Sequence, residues 1–180
     1  MALLAEQLVD EWLNRQGFFT VRGVKEGVDE IDLLGVRPSR TSSGTLEAWH
    51  VEVQVSFNPN AYISKLSKGQ MAELGTNNKN SAKVRQTELL ERTVEGWVEG
   101  KFNKKRKRQM REERWTGLNW QFKLVHARAK YPVELELIAK HCIELIPLQK
   151  VLQDLEATAG KMRGYSGTDI LEIISYYSGE

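Results

Sequence analysis

The sequence predicts a single α/β domain in which one helix precedes three consecutive strands. Three observations carry this. Residues 5–13 repeat apolar side chains at helical spacing. Residues 47–55, "EAWHVEVQV", alternate at the period of a strand. The length of 180 residues suits one domain, which at this size buries roughly 70% of its unfolded surface.

In "AEQLVDEWLNRQGFF", Ala5, Leu8, Val9, Trp12 and Leu13 form one buried stripe, and Gly17 is placed to end the helix. "FFTVRGV" reads as a strand, "KEG" as a turn and "VDEIDLLGV" as a second strand; 38–44 is loop by composition. "TLEAWHVEVQVSF" is the third strand. Trp49, Val51, Val53 and Val55 face one way, and His50, Glu52 and Gln54 the other. Short links make these strands antiparallel neighbours. Residues 58–80 are poor in pattern, with a short helix expected around 61–74. A helix is expected over 81–102, with Leu90, Val94, Trp97 and Val98 as its stripe. The segment 101–115 either prolongs that helix or stands off as an exposed arm. "NWQFKLVHARA" is a fourth strand, "PVELELIAKH" a helix with Pro132 near its start, and "CIELIPL" a fifth strand. "QKVLQDLEATAG" is a helix through Val151, Leu152 and Leu155. "TDILEIISYY" is a last helix, opened by Ser166 and Asp169 as a capping box. The division is one domain over 1–160, with an insertion at about 58–117, and a helical tail over 161–180.

Hydrophobic residues make up 41% and charged residues 28%, the balance of a soluble protein. No run approaches the roughly 18 apolar residues of a membrane span. "MALLA" is too short for a signal-peptide core. The single cysteine, Cys142, excludes an intramolecular disulfide and fits a reducing compartment. A cytoplasmic protein with no membrane partner is expected. His141 and Cys142 lack the spaced partners of a zinc site, and "GYSGTD" lacks the lysine of a nucleotide-binding loop.

Net charge is +2, but 101–115 holds eight basic and two acidic residues, leaving 18 basic and 22 acidic elsewhere. That asymmetry points to a polyanionic partner. Lys104, Lys105, Arg106, Lys107, Arg108 and Arg111 are the expected nucleic-acid contacts, through release of counterions from phosphates. The bland alternative is a solvated helix face. Trp115 and Trp120 flank the run and could stack on unpaired bases; core packing is the bland alternative, and the better one for Trp120, Trp12 and Trp49.

Three acids stand out. Glu6 lies at the margin of the first helix's stripe. Asp32 sits among Ile31, Leu33 and Leu34, and Glu52 is mid-strand. A carboxylate in apolar surroundings costs free energy without a partner, and two on adjacent strands repel unless a cation separates them. A hard divalent cation takes oxygen ligands, and Mg²⁺ needs only one or two protein carboxylates. Asp32 and Glu52 are therefore expected around a metal. The alternative is a solvent-facing sheet surface with incidental charges. Glu30, two residues from Asp32, is either a supplementary ligand or exposed. His50 shares the face of Glu52, with a rim or structural role expected.

The ordered set of a helical Glu6, "GVDEIDLLG", a loop and "WHVEVQV" resembles the PD-(D/E)XK nuclease family. The nearest branches are those resembling Holliday-junction resolvases and small bacterial endonucleases. The resemblance implies a restriction-endonuclease-like fold: a central mixed sheet with an αβββαβ core flanked by helices. It implies a metal-dependent endonuclease that hydrolyses DNA phosphodiesters. Asp32 and Glu52 would hold Mg²⁺, or Mn²⁺, with the Val53 carbonyl as a further ligand; Glu6 would bind a metal-bound water or a second ion. The family's lysine is Gln54 here. An amide can orient the attacking water but cannot take its proton, so the metal would supply more of the water's acidity. Ile31 stands where the family has proline. The competing expectation is a non-catalytic nucleic-acid-binding subunit on the same scaffold. A weaker one is an interaction domain that uses "ILEIISYY" to pair with a partner or with itself. A homodimer, or a subunit of a larger nucleic-acid-processing complex, is compatible with each.

Overall fold

The computed structural model describes residues 2–56 and 61–159. Helix α1 (Ala2–Arg15) precedes β1 (Phe19–Glu26), β2 (Asp29–Pro38) and β3 (Leu46–Gln54). Then come α2 (Lys68–Glu73), α3 (Thr87–Val98), a π-helical turn (Glu99–Asn103) and α4 (Lys105–Arg114). The chain continues through β4 (Trp120–His126), α5 (Pro132–Ala139), β5 (Ile143–Pro147) and α6 (Leu148–Ala159). The five strands form one mixed sheet in the order β1-β2-β3-β4-β5. Short links make β1–β2 and β2–β3 antiparallel. Helical crossovers make β3–β4 and β4–β5 parallel. Among the described residues, no helix is long and apolar enough to cross a membrane.

The sheet is the middle of three layers. On one face Trp49, Val51, Val53, Leu33 and Val125 pack against Val9, Trp12 and Leu13 of α1 and Val151 and Leu155 of α6. Trp12 Nε1 donates to Asp154 Oδ2 at 3.0 Å, tying the two helices together. On the other face Leu124 and Ile143 pack against Val94 and Val98 of α3, Phe102 of the π turn, and Leu137 and Ile138 of α5. The alternation expected for β3 is the device that feeds both layers.

The β1–β2 hairpin breaks that alternation at one point. Val21 and Val24, three residues apart, pack into the same cluster, as do Ile31 and Leu34, with Met110 of α4. A regular strand would set each pair on opposite faces. Gly23, with φ +61°, lies between the first pair, and Asp32 between the second. A side chain at that positive φ is disfavoured, so glycine permits the rotation that wraps the hairpin end toward α4.

Several boundaries differ from expectation. The first helix of the crossover pattern forms only over Lys68–Glu73, closed by a capping box between Ser67 and Gln70. The next begins at Thr87, not at 81. The basic stretch neither prolongs it nor stands off. The backbone breaks at Lys104, with φ −51° and ψ 132°, and restarts as α4, which packs on the hairpin through Met110. The expected tail helix over 161–180, with its Ser166–Asp169 cap, lies outside the described residues.

One buried polar network pins the segment after β3 onto α5. Glu134, fully buried, accepts from Ile63 N (2.7 Å), Ser64 N (2.8 Å) and Ser64 Oγ (2.5 Å). Arg85 donates from Nη1 to Ser64 O at 3.0 Å and lies 3.9 Å over the Tyr62 ring. Removing the carboxylate leaves three donors and a buried guanidinium uncompensated. Glu134→Ala is expected to lower unfolding free energy by about 3–5 kcal/mol. Urea denaturation checks this; a loss under about 1 kcal/mol would contradict the role given to Glu134.

Candidate functional site

The site forms where two strands part. Paired residues of β2 and β3 end at Leu33↔Val51. Beyond that point the Val53 N–H donates to Asp32 Oδ2 at 2.8 Å, so a side-chain carboxylate replaces the ladder acceptor. Glu52, between Val51 and Val53, points to the opposite face and has no exposed surface. This face is not open to solvent, as the bland reading of the charges required. The π turn and α4 cover it. Phe102 is fully buried there, its ring 5.0 Å from that of His50.

Glu52 is saturated with donors. Lys101 Nζ donates to Oε2 at 2.5 Å, and Lys107 Nζ to Oε1 at 2.7 Å. His50 Nε2 lies 3.0 Å from Oε1. Arg111 Nη1 lies 2.9 Å from His50 Nδ1 and also donates to Phe102 O at 2.8 Å. A guanidinium can only donate, so Nδ1 accepts, and Nε2–H donates to Glu52. The imidazole in this chain is neutral. Burial pushes its pKa down to about 4, helped by Arg111 and Lys107 and opposed by Glu52. His50 is thus a structural relay between Arg111 and Glu52.

The two acids are held in opposite states. Burial alone would raise Glu52, but the His50 hydrogen bond and the charges of Lys101 and Lys107 bring it down to about 2. Burial, then the charge on Glu52, raises Asp32 to about 7, against the pull of Lys101 and the Val53 hydrogen bond. Lys101 is itself raised: burial disfavours its charge, and Glu52 and Asp32 more than restore it. One ammonium is therefore attracted by both carboxylates.

Asp32 and Glu52 come together as expected; the remaining residues divide. Glu6, half-buried on α1, is close enough for its charge to push Asp32 upward. It does not complete a chelating triad: among the described residues, no three His, Cys, Asp or Glu side chains gather to hold a metal. Gln54 lines a separate cavity of about 120 Å³ with Ile63, Arg128 and Glu134. Glu30 pairs with exposed Lys25 at 3.2 Å, and its charge also helps raise Lys101. Trp115 and Trp120 pack on each other and on the Met110 cluster, so neither is a free stacking surface.

The expected phosphate contacts also need correction. Lys107 and Arg111 point inward, toward Glu52 and His50, and are buried. Lys104, Lys105, Arg106 and Arg108 remain exposed on α4 and its cap. Lys104 pairs with Asp29 at 2.6 Å and Arg106 with Glu26 at 2.5 Å. Exposed ion pairs of this kind are weak enough to be exchanged for phosphate. Lys101, on the π turn, is the residue that sequence reading missed. One signal for the inward residues was available: Met110, the lone apolar residue of α4, marks a buried face that Lys107 and Arg111 share at helical spacing.

No protein-family model and no curated protein matches the sequence. A solved structure of a protein of unknown function, AF1548, is similar over 91% of this chain and 73% of its own, at 15% identity and a TM-score of 0.45.

The donor set fits a hard cation. Among the described residues Asp32 Oδ2 accepts from Val53 N–H, and Glu52 Oε2 is held by the partly exposed Lys101 ammonium rather than by backbone. A positive charge already occupies this place. Asp32 also gives a pH signature. Its folded pKa lies above the unfolded value, so its contribution to stability is complete below about pH 4 and lost as pH rises through about 7. Asp32→Asn is therefore expected to stabilise the chain at pH 8 by on the order of 2–4 kcal/mol, the gain vanishing toward pH 4. Denaturation curves at the two pH values check this; an equal effect at both would contradict it.

Proposed function

We propose that the chain is a metal-dependent DNA endonuclease built on a restriction-endonuclease-like fold of the PD-(D/E)XK kind. The observation that carries this reading is the meeting of Asp32 and Glu52 where β2 and β3 part, with one lysine ammonium attracted by both. The element order, helix, three antiparallel strands, helical crossover and parallel strand, supports the fold assignment.

Asp32 and Glu52 would hold Mg²⁺ or Mn²⁺, which when bound offsets charge on the phosphoryl oxygens and makes water more acidic. The protein groups do the positioning. Lys107 and His50 fix Glu52 as an ionised carboxylate, and Arg111 fixes the His50 tautomer. Lys101 brings from the opposite layer the cationic nitrogen that β3 lacks at Gln54. With Glu52 holding a metal, the Lys101 ammonium would be placed to bind a phosphate oxygen. Lys104, Lys105, Arg106 and Arg108 extend that charge along the surface for the flanking phosphates. Glu6 acts on the site through its field and through water.

Asp32→Ala is expected to reduce Mg²⁺-dependent cleavage at least 10³-fold while DNA binding survives; persistent cleavage would refute the assignment. Lys101→Met is expected to cut turnover on the order of 10²-fold, the scale of losing one preorganised charge. Gln54→Lys should keep activity, because position 54 lines a separate cavity and Lys101 already supplies the cationic nitrogen. A second reading has its own support. Both oxygens of Glu52 are already neutralised by lysines, as a metal-free binding subunit would require. That reading gains if the wild-type chain binds DNA with steep salt dependence but cuts nothing in Mg²⁺ or Mn²⁺.

A further inference from the structure

We propose that the groove between α2 and α3 seats an unpaired stretch of DNA strand, one base lying against Trp97, beside the Asp32–Glu52 site. This rests on the nucleic-acid reading above and names the substrate feature the site selects. The groove encloses about 490 Å³, within the roughly 300–1,000 Å³ range of ligand sites.

Its lining has the chemistry of a nucleotide and not of a duplex surface. Lys65, Arg92 and Lys101 are its charged residues, and no acid lines it. Lys65 is exposed, and Arg92 pairs only with the exposed Glu73. Lys101 stands at the inner end on Glu52, which makes the groove continuous with the site. Trp97 is half-buried. It meets Phe102 edge-on, with ring centroids 6.0 Å apart and planes at 74°, and the groove runs along the rest of it.

Gly96 and Gly100, one helical turn apart, line the groove beside Trp97 as exposed positions, and a Cβ at either would meet no atom within 4 Å. Neither has a positive φ. Packing and backbone geometry thus ask for glycine at neither position, and glycine inside a helix is unfavourable. What the missing side chains provide is depth beside the indole. A base in a duplex has both faces stacked, so an indole there selects unpaired bases, while the lysines and arginine take phosphates in any sequence.

The test uses the full chain in EDTA, with fluorescence anisotropy of a labelled single-stranded deoxyoligonucleotide and of a duplex of equal length. Gly96→Leu adds a side chain to the groove wall from a Cβ position that meets no atom within 4 Å, and with better helix propensity, so its Tm should not fall. It is expected to weaken single-strand binding about tenfold and duplex binding less than twofold. Lys65→Ala, at an exposed site, should lower the salt slope of single-strand binding by about 0.7. If Gly96→Leu leaves single-strand affinity unchanged, or weakens both forms equally, the groove assignment is overturned whatever the cleavage results. If the wild type prefers the single strand and Gly96→Leu abolishes that preference, the groove stands, even where Mg²⁺ produces no cutting and the nuclease reading fails. Absence of any DNA binding by the wild type overturns both.

Discussion

A carboxylate without access to water must be neutralised, and much of the middle of this chain does that for Glu52. Stranding an unpaired charge in the interior costs several kcal/mol. Here two ammoniums and an imidazole N–H meet one carboxylate. Each comes with its own support. Arg111 sets the imidazole tautomer, Met110 seats the helix that carries Lys107 and Arg111, and Phe102 anchors the turn that carries Lys101. That turn is π-helical, a conformation concentrated at functional positions. Well-packed apolar residues would stabilise the fold as well as a buried ion cluster does. Stability alone gives no reason for this cluster, and the proposed cation site would supply one.

The same arrangement separates two acids of similar intrinsic strength. Glu52 receives the cations and stays ionised. Asp32 receives a backbone N–H, burial and the field of Glu52, and holds its proton up to about neutral pH. Environments that drive paired titratable groups apart are typical of working sites. The geometric origin is the parting of β2 from β3. Asp32 turns to satisfy Val53 N–H, and Glu30, paired with Lys25 on the hairpin, still adds its charge to the field at Lys101.

The α1 stripe and the alternation of β3 were legible because both patterns are local. So was the pairing of Asp32 with Glu52, since antiparallel neighbours bring residues on facing strands together. The direction of the basic segment was not. Five consecutive cations read as outward-facing phosphate contacts, and only Glu52, 55 positions from Lys107, turns one of them inward. Lys101 was invisible for the same reason: its partner is 49 positions away, and no local spacing marks it. The Gly23 rotation escaped because a glycine within an otherwise good strand pattern leaves its φ undetermined. Glu6, expected to act through a metal-bound water or a second ion, sits on its helix margin close enough to raise Asp32 by its charge.

The most direct measurement is calorimetric titration of Mn²⁺ into the full chain, beside Asp32→Ala and Lys101→Met. The expected result is one site in the wild type, its loss in Asp32→Ala, and tighter binding in Lys101→Met, where the ammonium on Glu52 Oε2 is gone and only Lys107 on Oε1 remains. Unchanged Mn²⁺ affinity in both variants would contradict a shared cation site at Asp32 and Glu52.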